Sequence, residues 1–158
     1  MEQSHSQDRD IRQMDITRLV PHRGKMLLID EVVGYDRENV ALTAAFAAKR
    51  EWLGNYAAIE YMAQTAAALV GAADIDGGWT GEPRPGFLLG TRKLDLRFDA
   101  FKEGERYLCV AKNEFADGEA ASFACEVRNA AGEVIATAIL NAYRPSKDAA
   151  SFLERNAL

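Results

Sequence analysis

Between Trp52 and Asp76 the chain reads WLGNYAAIEYMAQTAAALVGAADID, and from Tyr56 to Ala73 nearly every residue is apolar or small. Such a run has high helix propensity and presents no side suited to water. Asn55 suits its N-cap, and Gly77-Gly78 ends it. A helix apolar all round is either enclosed by other layers or set in a membrane. The run, about 18 residues, is at the lower edge of a membrane span, and it carries Glu60 and Gln64 near one end. No further apolar span follows. We therefore expect a central helix enclosed by the rest of the chain, and no membrane span.

The remaining chain supplies strands for that enclosure. Met26 to Tyr35 is apolar and β-branched and reads as a first strand, with Asn39 to Phe46 as a second beyond a turn at Asp36 to Glu38. After Pro83 and Pro85 the pattern turns to period two, Leu94, Leu96 and Phe98 alternating with Lys93, Asp95 and Arg97. Lys102 to Glu105 is a turn. Arg106 to Phe115, Ala120 to Arg128 and Glu133 to Tyr143 are three more strands, separated by turns at Asp117-Gly118 and Asn129 to Gly132. Turns this short join antiparallel neighbours. Ile11, Met14, Leu19 and Val20 suggest a short amphipathic helix ending before Pro21. The expectation is a single α+β domain over residues 11–145, about six antiparallel strands wrapped on one buried helix. Residues 1–10 read as a flexible tail and 146–158 as a C-terminal extension suited to a terminal helix.

Composition narrows the function classes. With 19 basic and 24 acidic side chains the net charge is −5, which argues against a nucleic-acid binder that must neutralise phosphates. The two cysteines, Cys109 and Cys125, form neither a CxxC pair nor a disulfide framework. A two-residue turn between their strands would put them on opposite sheet faces, and a three-residue turn directly opposite each other on one face. We expect reduced core thiols, and with no apolar leader in MEQSHSQDRD, a cytoplasmic protein.

An ionisable group in an enclosed helix needs a reason, because an uncompensated buried carboxylate costs several kcal/mol or takes up a proton. Glu60 and its i+4 neighbour Gln64 share one helical face. Glu60 either bonds the amides of the first turn or is an acid/base carboxyl in an apolar pocket with a raised pKa. Gln64 would then orient it or a substrate oxygen. His22, in Pro21-His22-Arg23-Gly24, is the other candidate; it is either a turn histidine bonded to backbone or one half of a His–Glu pair with Glu60. No histidine or cysteine cluster has metal-ligand spacing, and GxSxG, Walker-A and GxGxxG segments are absent.

Three segments resemble a known family in the right order. LVPHRGKMLLIDEVVGY resembles the opening of the hot-dog-fold 3-hydroxyacyl carrier-protein dehydratases, IEYMAQTAAAL their central-helix motif, and GFLLGTRKLDLRF with FKEGE their glycine-containing third strand and following turn. The likeness runs from about Leu19 to Tyr143 and is most similar to the dehydratases of aryl polyene biosynthesis. The resemblance implies a dimer with active sites formed between subunits, taken here as a homodimer. It matches Glu60 to the catalytic glutamate and Gln64 to the glutamine one turn later. The family's catalytic histidine lies fourteen residues before that glutamate, where this chain has Phe46, and no histidine follows His22. His22 is therefore expected to take over as base.

The expected reaction is loss of water from a 3-hydroxyacyl thioester to give a trans-2-enoyl product, in fatty-acid-like or aryl polyene biosynthesis. His22 is the expected base and Glu60 the acid, with Gln64 and Gly90 as substrate contacts. Backbone amides at the helix start or at Gly90 would hold the thioester carbonyl. No metal or redox cofactor is implied, since the pantetheine arm belongs to the substrate. The partner is an acyl carrier protein or a coenzyme A thioester, with Lys49, Arg50, Arg84, Arg92 and Lys93 as candidate docking charges. Two alternatives stand beside this: a hot-dog thioesterase using Glu60 against the acyl carbonyl, and a non-catalytic acyl-binding subunit.

Overall fold

The computed structural model describes residues 10–145. Six strands, β1 (Glu31–Asp36), β2 (Ala41–Ala47), β3 (Phe87–Leu96), β4 (Arg106–Asp117), β5 (Ala120–Arg128) and β6 (Val134–Tyr143), surround one long helix, α1 (Ala58–Asp76). They form a single sheet in the order β1-β2-β4-β5-β6-β3. All five pairings are antiparallel. Inward residues of the sheet, among them Leu42, Phe46, Cys109, Ala111, Phe123 and Val127, are buried with Tyr61, Met62, Ala68 and Leu69 of α1 in one core. The expected α+β architecture is the one observed, and β3 lies at an edge because β6 is its one strand neighbour.

Local differences have local causes. The segment expected as a short helix is two single 3-10 turns, Ile11–Gln13 and Ile16–Arg18, each started by an aspartate: Asp10 accepts from the Arg12 amide and Asp15 from that of Thr17. The first strand begins five residues later than its apolar pattern suggests. Gly24–Met26 forms a 3-10 turn with Gly24 at φ +61°, and the Met26 carbonyl and Leu28 amide are taken by a side chain of α1 instead of a ladder. Asn55 does not cap α1. It opens a 3-10 turn, Asn55–Ala57, after Gly54, and its Nδ2 donates to the Phe98 carbonyl at 3.0 Å.

Both cysteines are free and buried. Their placement fits neither simple turn. β4 and β5 join through the two residues Gly118 and Glu119, with Gly118 at φ +59°, but the register shifts between Asn113 and Phe115. That bulge puts Cys109 opposite Val127 and Cys125 opposite Ala111, so the sulfurs share the inner face diagonally. Burial pushes the Cys109 thiol up to about 12 and raises that of Cys125 as well, which keeps both thiols protonated and unreactive.

The helix is not enclosed all round by this chain. Gln64, Thr65, Ala68 and Ala72 are buried, whereas Glu60, Ala63, Ala67 and Val70 are only half-covered. The apolar composition concealed which side this would be, because alanine serves a packed face and a hollow equally well. No described helix is long and apolar enough to cross a membrane. The tail expected at 1–10 lies outside the described residues except for Asp10, and so does the terminal helix expected from Ser146.

Candidate functional site

Glu60, Ala63, Ala67, Val70 and Asp74 follow one another at intervals of three and four residues and line one face of α1. They form the floor of a cavity of about 790 Å³, within the range of small-molecule sites. Phe123, Leu140 and Ala142 of the sheet make much of its apolar wall, and Pro21 and His22 lie along it. The structure thus brings His22 and Glu60, 38 residues apart in sequence, to one hollow.

The long reach of His22 follows from how its segment lies on the helix. Leu19 and Val20 are fully buried, and the Leu19 carbonyl sits against Gly71. Further on, Gln64 clasps the same strand of chain: its Oε1 accepts from the Leu28 amide at 2.8 Å and its Nε2 donates to the Met26 carbonyl at 2.6 Å. Between these two anchors the chain runs along α1 and carries His22. Arg23 braces the bend, donating to the Thr17, Val20 and His22 carbonyls.

Gln64 also donates from Nε2 to Oε1 of Glu60 at 3.1 Å. It is fully buried, and its amide is engaged within the chain with Glu60 and with the segment that bears His22. Replacing it by methionine is expected to cost about 2 kcal/mol, because the Leu28 amide and Met26 carbonyl lose a buried partner. Thermal denaturation measures that cost, and an unchanged Tm would show that the clasp does not hold the segment.

Glu60 stands in the first turn of α1, and among the described residues its carboxylate bonds the Gln64 side chain and not the amides of that turn. The capping alternative is thereby removed, and the carboxylate faces the cavity beside the positive end of the helix dipole. The His22 ring makes no hydrogen bond among the described residues, and its Nδ1 is buried without a partner. That removes the turn-histidine alternative. Burial lowers the His22 pKa; the Glu60 charge opposes this and the Arg23 charge adds to it.

Gly90 does not line this cavity. It lies on the edge strand β3 opposite Asn141, next to a register shift, and a side chain there would meet nothing within 4 Å. Phe46, at the position of the family histidine, is buried and stacks on Tyr61 at 3.8 Å between ring centres, with Phe101 and Tyr107 around it. The place of a base is taken by an aromatic core. Of the five candidate docking cations, Lys49 pairs with Asp30, Arg50 with Glu103 and Arg84 with Asp74. A second hollow of about 250 Å³, containing Lys25, Lys49, Arg50 and Trp52, touches neither His22 nor Glu60.

Sequence reasoning missed the far end of the large cavity, where Asp74, Arg84, Glu119, Tyr143 and Arg144 gather. They come from the end of α1, the loop before β3, the β4–β5 turn and the end of β6, which only the folded chain brings together, and no spacing could have shown it.

Comparison with known proteins bears on this site. No curated protein matches the chain. Among solved structures, the dehydratase heterocomplex ApeI:P from Xenorhabdus doucetiae is similar at 23% identity over 93% of this chain and 100% of the matched one, with a TM-score of 0.80. A hypothetical thioesterase with coenzyme A from Streptococcus pneumoniae TIGR4 is similar at 11% identity, over 75% and 88% of the two chains, with a TM-score of 0.55. A protein from Streptococcus mutans UA159 bound to acetyl CoA is similar at 13% identity, over 80% and 95%, with a TM-score of 0.55. These likenesses carry the hot-dog fold. The family model described as ApeP dehydratase matches residues 14–154, nearly the whole sheet-and-helix domain with both His22 and Glu60, and the chain therefore belongs to the ApeP-like dehydratase family.

Proposed function

We propose that the chain dehydrates 3-hydroxyacyl thioesters carried on an acyl carrier protein, in aryl polyene or fatty-acid-like biosynthesis, with His22 as base and Glu60 as acid. The observation that carries this reading is their convergence on one apolar cavity, His22 with an unengaged ring and Glu60 held by Gln64. The α-proton passes to His22, the electron pair of that C–H bond becomes the C=C bond, and the C–O bond at C3 breaks. Glu60 gives its proton to the departing oxygen, so water leaves. Transfer of a proton from His22 back to Glu60 resets the pair. The reaction moves only protons and one leaving group, and the pantetheine arm arrives with the substrate.

Arg92 and Lys93 on β3 make no ion pair with other described residues and are the cations we assign to an acidic carrier protein. The same strand presents Leu88, Leu89 and Leu94 exposed along an open sheet edge. An edge of that kind calls for a cover, and we propose a second copy of the chain there. The matched ApeI:P structure is described as a heterocomplex, so a different hot-dog chain is the other outcome.

The test is incubation of the purified protein with a 3-hydroxyacyl carrier-protein thioester, following enoyl absorbance and free thiol together. Enoyl product without thiol is expected; thiol release without enoyl product would establish the thioesterase instead. Because burial holds the His22 pKa low, the base stays neutral to lower pH than a free imidazole. The acidic limb of kcat/KM is thus expected below the ordinary imidazole value of 6.5. A limb at or above that value would remove His22 from the role. Light scattering on the same preparation, at about twice the 17.4 kDa of one chain, reports the second copy; a single-chain mass would argue for a different partner.

A further inference from the structure

The large cavity extends to one side of the reacting pair. Glu60 and Asp74 both line it and are fourteen residues apart on α1, which is about 21 Å along the helix axis. Glu60 stands in the first turn, so the hollow runs from it toward the C-terminal end of the helix. Ala63, Ala67, Val70 and Ala73 make the floor between them and all keep accessible surface, the first three half-covered and Ala73 exposed. Phe87 and Ala142 of the sheet line the same stretch and are half-covered too. Beyond Ala73 the floor turns polar, where Arg84 and Arg144 donate to Asp74.

The chemistry of that floor decides which part of a thioester can lie on it. Its four side chains have no donor or acceptor, and the amides of a helix interior are spent on its own ladder. A pantetheine arm carries amides, which would give up water there without finding partners. An acyl chain is hydrocarbon beyond its hydroxyl carbon and gains from every methylene that leaves water. Three of the four floor residues are alanine, so a larger side chain at any of them would stand up into the hollow at a fixed depth. Along the axis Ala67 lies about 10 Å and Ala73 about 20 Å beyond Glu60.

Resting on the reading that the thioester reacts at His22 and Glu60, we infer that the acyl chain lies extended along α1 from Glu60 toward Asp74, with Ala67 and Ala73 measuring its length. The substrates are therefore long, unbranched acyl chains. Ala67 and Ala73 are specificity-determining residues, because each lets the chain pass its own depth by ending at the β-carbon. The pantetheine arm leaves on the other side of Glu60.

The experiment uses three saturated acyl carrier-protein thioesters, which cannot lose water, titrated by calorimetry. The short chain ends before Ala67, the medium one between Ala67 and Ala73, and the long one reaches Ala73. Matching 3-hydroxyacyl thioesters are assayed for enoyl product. Wild-type affinity is expected to rise by about two- to fourfold with each methylene added. Ala67→Leu should weaken the medium and long chains by about tenfold or more relative to the short one, and Ala73→Leu the long chain alone. Leucine is a good helix former and Ala73 is exposed, so Ala73→Leu carries the test even where Ala67→Leu does not fold. Wild-type affinity that is flat with length overturns the proposal, as it would if a second copy of the chain filled the hollow. Equal losses for all three chains in both variants overturn it too, because the pantetheine arm would then be the part lying there. The graded pattern in binding without any enoyl product would instead remove the dehydratase reading and leave the measure of length standing.

Discussion

Glu60→Gln is expected to lose dehydration by roughly 10²- to 10⁴-fold in kcat/KM while keeping its fold. The substituted amide has the shape of the carboxyl, and its oxygen can still accept from Nε2 of Gln64, which donates to Oε1 of Glu60 at 3.1 Å. The clasp of Gln64 on Met26 and Leu28 does not involve Glu60 and stays closed. What disappears is a group able to give a proton to the departing hydroxyl. His22→Ala is expected to fall as far, for loss of the base at the other side of the reacting carbons. Since the ring makes no hydrogen bond among the described residues, its removal breaks no structural bond. Enoyl absorbance measures both variants, with circular dichroism and Tm as controls on folding. Full activity in Glu60→Gln would end the acid assignment. Loss in Glu60→Gln with full activity in His22→Ala would mean that the base comes from another chain, since Phe46, where the family has its histidine, is closed into an aromatic cluster.

The parts of this arrangement that sequence could reveal are those set by local pattern. An alanine-rich run with one carboxylate and one amide at i and i+4 is a property of neighbouring residues, and so are alternating strands joined by short turns. Glu60, Gln64 and the six-stranded wrap were legible for that reason. The N-terminal segment was not. Ile11 to Val20 has an amphipathic pattern, yet Asp10 and Asp15 each turn it at a single 3-10 step, and its apolar residues are buried by α1 and the sheet instead of by helical periodicity. Gln64 illustrates a second limit. Its position on the helix was plain, but its three partners include Met26 and Leu28, 38 and 36 residues away, which only the folded chain brings near. Gly90 shows the converse. A glycine in a strand signals a close approach or a bulge, and it is the bulge that is observed, away from the cavity.

Gly71→Ala is expected to destabilise the protein by about 3 kcal/mol, a large value for one added methyl group. In an open stretch of helix the same exchange would stabilise by about 1 kcal/mol, since glycine is the poorer helix former. Here the β-carbon would lie 2.1 Å from the Leu19 carbonyl oxygen and 2.9 Å from its carbon. Both are backbone atoms, so no rotamer change relieves the collision; either the helix or the segment has to move. Leu19 and Val20 are fully buried, and a shift of this segment opens the core on one side and carries His22 away from Glu60 on the other. Tm should fall by roughly 6–12 °C, at ~2–4 °C per kcal/mol for a chain of this size. Activity should drop even at temperatures where the variant is folded. Ala73→Gly, an exchange in the opposite sense at an exposed position of the same helix, sets the scale of propensity alone at about 1 kcal/mol. A Gly71→Ala protein as stable and active as the wild type would mean that the segment bearing His22 is not gripped by α1, and the convergence of His22 and Glu60 would lose its physical cause.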